Sequence, residues 1–287
     1  NIQWDTLGQI VASWFISPVA GATISFLVFK LITYFILGRD NPVQAAVIGV
    51  PVCTFFTFTV VSMATIYKGL NNVNLDLSLP GALGVSCLLG LAGAIVIGIH
   101  LRRKWKQAAA LPLDQQLAQV EKLFVILVII TSCSVAFSHG ANDVANAIGP
   151  LAAVVSIVQT GEVTSKVEVS TWLLMLGGGG IVLGLATFGF RVMKTVGADI
   201  TEISPSRGVA ADLGTAVTVL CCSRLGLPVS TTHTLVGAII GVGLARGISA
   251  INLRTISSIF LSWFVTLPIV ALLTMLLFYP ARWLMGF

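Results

Sequence analysis

Apolar segments as long as a membrane-spanning helix dominate this sequence. A helix needs about 20 apolar residues to cross the hydrocarbon core of a bilayer. The segment Val43–Tyr67 carries no charged residue, and Ile10–Leu37 is interrupted only by Lys30. Only 9% of all residues are charged, whereas a soluble domain carries about 25%. The sequence therefore predicts an integral membrane protein and excludes a soluble enzyme and a disordered chain.

Four further apolar segments predict an all-α polytopic fold. Leu77–Ile99 is one of them, and a second opens at Leu123. Thr171–Phe190 and Thr255–Ala281 are the other two. Their length and uniform hydrophobicity are typical of transmembrane helices. We expect a multi-pass protein of the plasma (inner) membrane, surrounded by lipid.

Basic residues cluster in the one substantial hydrophilic segment, residues 102–122, which opens with Arg102-Arg103-Lys104. By the positive-inside rule this segment is predicted to be a cytoplasmic loop. The chain as a whole has a formal net charge of +5. Because the basic residues lie mostly between apolar segments, they indicate loops at a membrane surface, and no nucleic-acid partner is expected.

The apolar region Gly140–Val158 does not fit a simple membrane span. It carries Asn142, Asp143 and Asn146, and Gly149-Pro150 is expected to break it. Polar groups and helix breaks are tolerated at membrane depth only where the backbone is buried in protein or lines a cavity. The region is therefore predicted to contribute to a binding site.

A second irregular region, Gly208–Ala245, has the same character. It contains Asp212 and Arg224, and an expected break at Gly226-Leu227-Pro228 precedes the polar cluster Ser230-Thr231-Thr232-His233. Transporters bind their substrates at discontinuous helices of this kind. The two regions together point to a transporter.

An internal repeat supports that interpretation. Ile2–Phe29 and Ile251–Phe278 align without gaps at an offset of 249 residues. Nine of the 28 aligned positions are identical, and they include a Ser-Trp-Phe triplet at residues 13–15 and 262–264. Repeated halves are common in secondary transporters. If the copies are collinear, the counterparts of both irregular regions would lie before residue 1.

The repeat predicts three parts of the chain. Residues 1–101 are the end of a first repeat with connecting transmembrane helices, and residues 102–122 are the basic hydrophilic loop. Residues 123–287 are a second repeat that contains both irregular regions. On this interpretation the sequence holds about half of a binding site that two repeats share.

Two motifs resemble the signatures of the inorganic phosphate transporter (PiT) family. Ala136–Pro150 reads AFSHGANDVANAIGP and resembles the first signature, and Gly226–His233 reads GLPVSTTH and resembles the second. The resemblance covers essentially the whole chain. It implies inverted repeats that each carry both signatures, and cotransport of phosphate with Na⁺ or H⁺. Several relatives have glutamate where this chain has Asp212, so here the carboxylate sits on a shorter side chain.

A phosphate dianion needs compensation for its charge inside a membrane, and neither signature contains a lysine or arginine in its core. A helix that starts near Ser230 would offer free N–H groups and the positive end of its dipole. The hydroxyls of Ser230, Thr231 and Thr232 can also donate. We therefore predict these three residues, with Asn142 and Asn146, to bind the substrate.

Carboxylates are predicted to handle the coupling cation. Hard oxygen ligands are available from Asp143, Asn142 and Asp212. If the coupling ion is Na⁺, Asp143 and Asn142 are its predicted ligands. If it is H⁺, one of the carboxylates takes the proton. His139 and His233 are further candidates. Simpler roles stay open: the Ser/Thr residues as a helix cap, the asparagines as interhelical hydrogen-bonding groups, and Asp212 as the ion-pair partner of an arginine.

The same residues allow other functions. His139, Asp143 and His233 could bind a divalent metal. Ser230 with His233 and Asp143 could also suggest an intramembrane hydrolase, but the sequence lacks the Gly-x-Ser-x-Gly elbow typical of such enzymes. Fixed carboxylates disfavour a passive anion channel. Sulfate is the alternative substrate, but it lacks the proton that phosphate can donate to a carboxylate.

We predict a transporter that cotransports phosphate with Na⁺ or H⁺ by alternating access. We expect it not to be an enzyme and to have no cofactor, and the sequence leaves open whether it forms a homo-oligomer.

Overall fold

The computed structural model describes residues 4–69, 77–104, 111–162, 167, 169–225, 227 and 229–285. These residues form helices and no strand. In chain order the α-helices are α1 (Trp4–Ile32), α2 (Pro42–Gly69), α3 (Leu79–Lys104), α4 (Leu113–Thr160), α5 (Thr171–Lys194), α6 (Pro205–Arg224), α7 (Thr231–Arg246) and α8 (Leu253–Met285). Short π-helical turns extend α1 and α5.

Six of these helices, α1 to α5 and α8, are long and apolar enough to cross a membrane. This confirms the predicted all-α polytopic membrane protein, because each predicted apolar segment overlaps one of them over most of its length. The two shorter helices, α6 and α7, lie at the centre of the bundle, where most of their side chains are buried. In contrast, α8 has no buried residue in its most apolar window and lies at the periphery.

Helix α4 corrects two expectations about the fourth span. It runs without interruption from Leu113 to Thr160, so the break predicted at Gly149-Pro150 is wrong. It also begins ten residues before the expected opening at Leu123. A proline removes one backbone hydrogen bond, but the remaining bonds cannot be exchanged for bonds to water inside a bilayer. The helix therefore continues through Pro150, as α1 does through Pro18.

The interruption predicted in the second irregular region is confirmed. Helix α6 ends at Arg224 and α7 begins at Thr231. Gly226 and Pro228, the residues to which the break was assigned, lie outside the described residues. The short connection brings the polar cluster at the start of α7 close to α6.

Close packing of α7 against α1 fixes the central part of the bundle. A side chain at Gly237 would meet the backbone of Pro18, and one at Gly241 would meet the backbone of Ala22. Ser25 adds a hydrogen bond of 2.6 Å from its hydroxyl to a backbone carbonyl of α7. Small residues allow helices to approach this closely in lipid. The start of α7 is therefore held firmly beside α1.

The helix ends meet on two opposite sides of the bundle. On one side, Glu121 near the start of α4 accepts hydrogen bonds from the backbone N–H and hydroxyl of Ser206 and the hydroxyl of Ser204, at the start of α6. The starts of α2 and α8 and the ends of α1, α3, α5 and α7 lie on the same side. We call it the basic side, after its cationic residues Arg39, Arg102, Lys122, Lys194, Arg207, Arg246 and Arg254.

Candidate functional site

Asp212 is buried in the contact between α4 and α6, with 8% of its surface exposed. Its Oδ2 accepts hydrogen bonds from the hydroxyls of Thr131, at 2.6 Å, and Ser132, at 2.7 Å. Arg224 lies twelve residues further along α6, about 18 Å at 1.5 Å per residue. Within the described ranges Asp212 forms no ion pair, so hydroxyls and not an arginine stabilise this carboxylate. We call Asp212, Thr131 and Ser132 the Asp212 cluster.

The start of α7 is capped by Ser230. The Ser230 hydroxyl accepts a hydrogen bond of 3.3 Å from the backbone N–H of His233, and the Ser230 carbonyl accepts from both the N–H and the hydroxyl of Thr234. The simple role of helix cap is therefore real for Ser230. The next two N–H groups, at Thr231 and Thr232, have no carbonyl partner within the helix because they belong to its first turn. These groups and the helix dipole suit an anion.

His139 connects the two signature motifs across α4 and α7. Its Nε2 lies 2.7 Å from Oδ2 of Asp143, one turn further along α4, and 3.4 Å from the hydroxyl of Thr232 at the start of α7. The His139 and Asp143 side chains remain 33% and 43% exposed. We call these three residues the His139 cluster. An imidazole, a carboxylate and the start of a helix thus lie side by side.

A small cavity of about 20 Å³ lies between α4, α6 and α7. Ser138, Thr215 and Thr231 contribute hydroxyl-bearing side chains to its lining. The Thr231 hydroxyl is buried and has no hydrogen-bond partner among the described residues. A volume of about 10–15 Å³ holds one water, so the cavity suits a single water or an ion of similar size.

His233 does not join the His139 cluster. Its ring stacks on Trp263 of α8, with ring centroids 3.7 Å apart, and no described contact links it to Asp143. The divalent-metal alternative, which required His139, Asp143 and His233 together, is therefore wrong for this structure. Across the described residues, no group of three His, Cys, Asp or Glu side chains could hold a metal ion.

The structure also separates residues that the sequence grouped together. Thr131 precedes Asp143 by twelve residues on α4, about 18 Å along the helix, so Asp143 and Asp212 belong to two different clusters. Asn146 is exposed on α4 and has no described contact with either cluster. The side chain of Asn142 lies outside the described residues.

Four functional candidates were missed by the sequence interpretation: Thr131, Ser132, Ser138 and Thr215. Each is a single small hydroxyl in an apolar helix, which is common in membrane proteins and draws no attention. The run Thr131-Ser132-Cys133-Ser134 directly before the first motif was the available signal. This run indicates a polar face on the helix, but it does not indicate that Asp212 is the residue in contact with that face.

Comparisons with known proteins identify the family of this chain. Residues 1–274 match the model of the phosphate transporter family. A "Putative phosphate permease" from Haemophilus influenzae is 43% identical over 284 residues, which cover 98% of this chain and 67% of that protein. An Arabidopsis thaliana protein named "Inorganic phosphate transporter 2-1, chloroplastic" is 40% identical over 301 residues, covering 95% of this chain and 49% of that protein.

A solved structure described as the sodium-dependent phosphate transporter has the same fold, with a TM-score of 0.78 and 39% sequence identity. The match covers 93% of this chain and 64% of that one. The chain thus spans about two thirds of the length of the bacterial relative and of this structural neighbour. The sulfate alternative receives no support from these comparisons. This multi-pass membrane chain belongs to the phosphate transporter family.

Proposed function

We propose that the protein cotransports inorganic phosphate and Na⁺ across a membrane. The observation that carries this proposal is the His139 cluster, in which the start of α7 faces a carboxylate of α4. An anion site beside a fixed carboxylate is electrostatically unfavourable unless a cation binds as well. Na⁺ is preferred over H⁺ because the structural neighbour at 39% identity is described as sodium-dependent.

Phosphate would bind at the first turn of α7. The N–H groups of Thr231 and Thr232 and the hydroxyl of Thr232 are its proposed donors. Ser230 contributes too, since a hydroxyl that accepts a bond from the His233 N–H still has its own proton to donate. We keep Asn142 and Asn146 as substrate ligands in the proposal, supplied by α4 when the site is occupied.

The cation would be held by carboxylate and hydroxyl oxygens. Asp143, with Asn142, is its proposed ligand beside the phosphate. Asp212 is the second coupling residue, because it is a buried carboxylate with two hydroxyl partners and no described ion pair. Na⁺ would supply the missing positive charge there.

The repeat supports an inverted architecture. Helices α1 and α8 carry its two copies, and they run in opposite directions because α1 ends and α8 begins on the basic side. The aligned residues Phe15 and Phe264 contact each other, with ring centroids 6.5 Å apart. Two equivalent residues that touch lie beside the axis that relates their repeats. We propose a pseudo-two-fold axis in the membrane plane at this contact, as alternating access by inverted repeats requires.

Uptake of radiolabelled phosphate into proteoliposomes that contain the full-length protein tests the proposal. Gradients of Na⁺ and of H⁺ would be imposed separately, with excess unlabelled sulfate as competitor. We expect uptake that an inward Na⁺ gradient drives and that sulfate does not reduce. Uptake that follows only the H⁺ gradient would replace the coupling ion, and uptake without gradient dependence would contradict the assignment of both carboxylates.

A further inference from the structure

One cavity in the described part of the bundle lies away from both clusters. It has a volume of about 340 Å³ and opens between α2, α3 and α4 towards the surface of the bundle. Ligand pockets typically have volumes of about 300–1,000 Å³. Its lining includes no residue of the Asp212 or His139 clusters, so phosphate transport leaves this cavity unexplained.

The lining of the cavity changes from polar to apolar along the helices. Its polar end is formed by His100 near the end of α3 and by Gln119 and Lys122 near the start of α4. Its apolar end is formed by Ile97 and Ile126, with Thr54 of α2, whose hydroxyl donates to the Val50 carbonyl of its own helix. Lys122 and Ile126 are separated by about 6 Å along α4. This polarity gradient matches that of a phospholipid where the headgroup meets the acyl chains.

Charge at the polar end favours an anionic headgroup. Lys122 and His100 are both exposed, and neither forms an ion pair with another described residue. The neighbouring carboxylate of Glu121 is directed to the start of α6, where it accepts three hydrogen bonds, so it does not neutralise Lys122.

The position of the cavity supports the same ligand class. It lies on the basic side, which the positive-inside rule assigns to the cytoplasm. The cytoplasmic leaflet is the one that carries anionic lipids, and basic pockets between transmembrane helices bind their headgroups. The apolar end continues into the hydrocarbon region, where an exposed Ile126 side chain faces the lipid.

We propose that the cavity between α2, α3 and α4 binds an anionic phospholipid, with its phosphate near Lys122 and His100 and an acyl chain along Ile97 and Ile126. This inference does not depend on the proposed transport function. It also differs from the phosphate site chemically, because the ligand needs a hydrocarbon chain as well as a phosphate. Lys122 acts here as a charge at the membrane surface.

Native mass spectrometry of the full-length protein tests the proposal, with phosphatidylglycerol and phosphatidylcholine of identical acyl chains as the added lipids. We expect preferential retention of phosphatidylglycerol. In Lys122→Gln this preference should fall about fivefold, the factor that one basic residue near the membrane surface contributes. The matched control Lys194→Gln removes a charge on the same side but outside the cavity, and it should leave the preference unchanged.

A second variant separates a lipid from a soluble anion. Ile126→Trp fills the apolar end while every charge is retained, so phosphatidylglycerol retention should also fall, and excess inorganic phosphate should not displace the lipid. Equal retention of the two lipids, or an equal effect of Lys122→Gln and Lys194→Gln, would overturn the proposal. Full retention by Ile126→Trp, or displacement by inorganic phosphate, would overturn it too. Because Lys122 and Ile126 are exposed, both variants are expected to fold, and circular dichroism checks that they do.

Discussion

The hydroxyl of Thr131 lies 2.6 Å from Oδ2 of Asp212, and this hydrogen bond joins α4 to α6 at the centre of the bundle. Ser132 donates to the same oxygen. The second carboxylate oxygen has no described partner. Asp212 is therefore held in place through one of its two oxygens, and we assign the other oxygen to the cation in the proposed transport cycle.

Thr131→Val removes one of these donors with little change of shape. A hydrogen bond to a charged group contributes about 1.5–3 kcal/mol, so we expect a lower melting temperature and a higher Na⁺ concentration for half-maximal phosphate uptake. Thr187→Val is the matched control, since that hydroxyl bonds only to carbonyls of its own helix. Equal effects of both variants would contradict the role of the Asp212 cluster.

Asp143→Asn should abolish cation-driven phosphate uptake without preventing membrane insertion. The amide keeps the size of the side chain but removes the negative charge that we propose binds the cation. The measurement is gradient-driven uptake by full-length protein in proteoliposomes, with insertion checked by protease protection. Asp114→Asn, at the exposed start of the same helix, should transport normally. Normal uptake by a correctly inserted Asp143→Asn protein would exclude the proposed role.

Gly237→Ala should destabilise the bundle because its new methyl group would meet the backbone of Pro18. Overpacking of this kind costs about 1–3 kcal/mol, and a backbone atom cannot rotate away as a side chain can. Gly178→Ala provides the comparison, since a methyl group there meets no atom within 4 Å. Thermal unfolding in detergent measures both. A Gly237→Ala protein as stable as Gly178→Ala would show that α1 and α7 can separate freely.

Phe15→Ala and Phe264→Ala should be energetically coupled. Their rings are 6.5 Å apart and tilted by 45°, and an aromatic pair contributes about 0.5–1.5 kcal/mol beyond its buried area. A double-mutant cycle on unfolding free energy should give a coupling of that size. The pair Phe15 and Phe278 serves as the control, because Phe278 contacts its own neighbour Tyr279. Zero coupling between Phe15 and Phe264 would remove the support for an axis at their contact.

The sequence allowed the membrane spans to be predicted, since an uncharged segment such as Val43–Tyr67 has few alternatives to a buried helix. The interruption before Ser230 was predicted correctly as well, because glycine, proline and a capping residue follow one another there. Gly149-Pro150 looked equivalent but lies inside α4. Only the surroundings of a proline decide whether its missing hydrogen bond ends a helix.

The contacts that candidate residues make with neighbouring helices were harder to predict than the candidate residues themselves. Asp212 was identified from its charge, but its contact with Thr131 joins residues 81 positions apart. Glycine shows the same limit. Gly237 and Gly241 pack against the backbone of α1, whereas Gly178, which also lies in an apolar helix, has open space around it. A small side chain permits close approach but does not specify which helix approaches.

The continuity of α4 has a mechanical consequence. Glu121 and Asp143 are 22 residues apart on this helix, about 33 Å, which is close to the roughly 30 Å thickness of the hydrocarbon core. The bond between Thr131 and Asp212 holds the helix near the midpoint of that distance. A stiff rod that turns about a point near its middle moves its two ends in opposite directions. In the alternating access that we propose, a tilt of α4 about Thr131 would move His139 and Glu121 in opposite directions, so the two ends of this helix could not open at the same time.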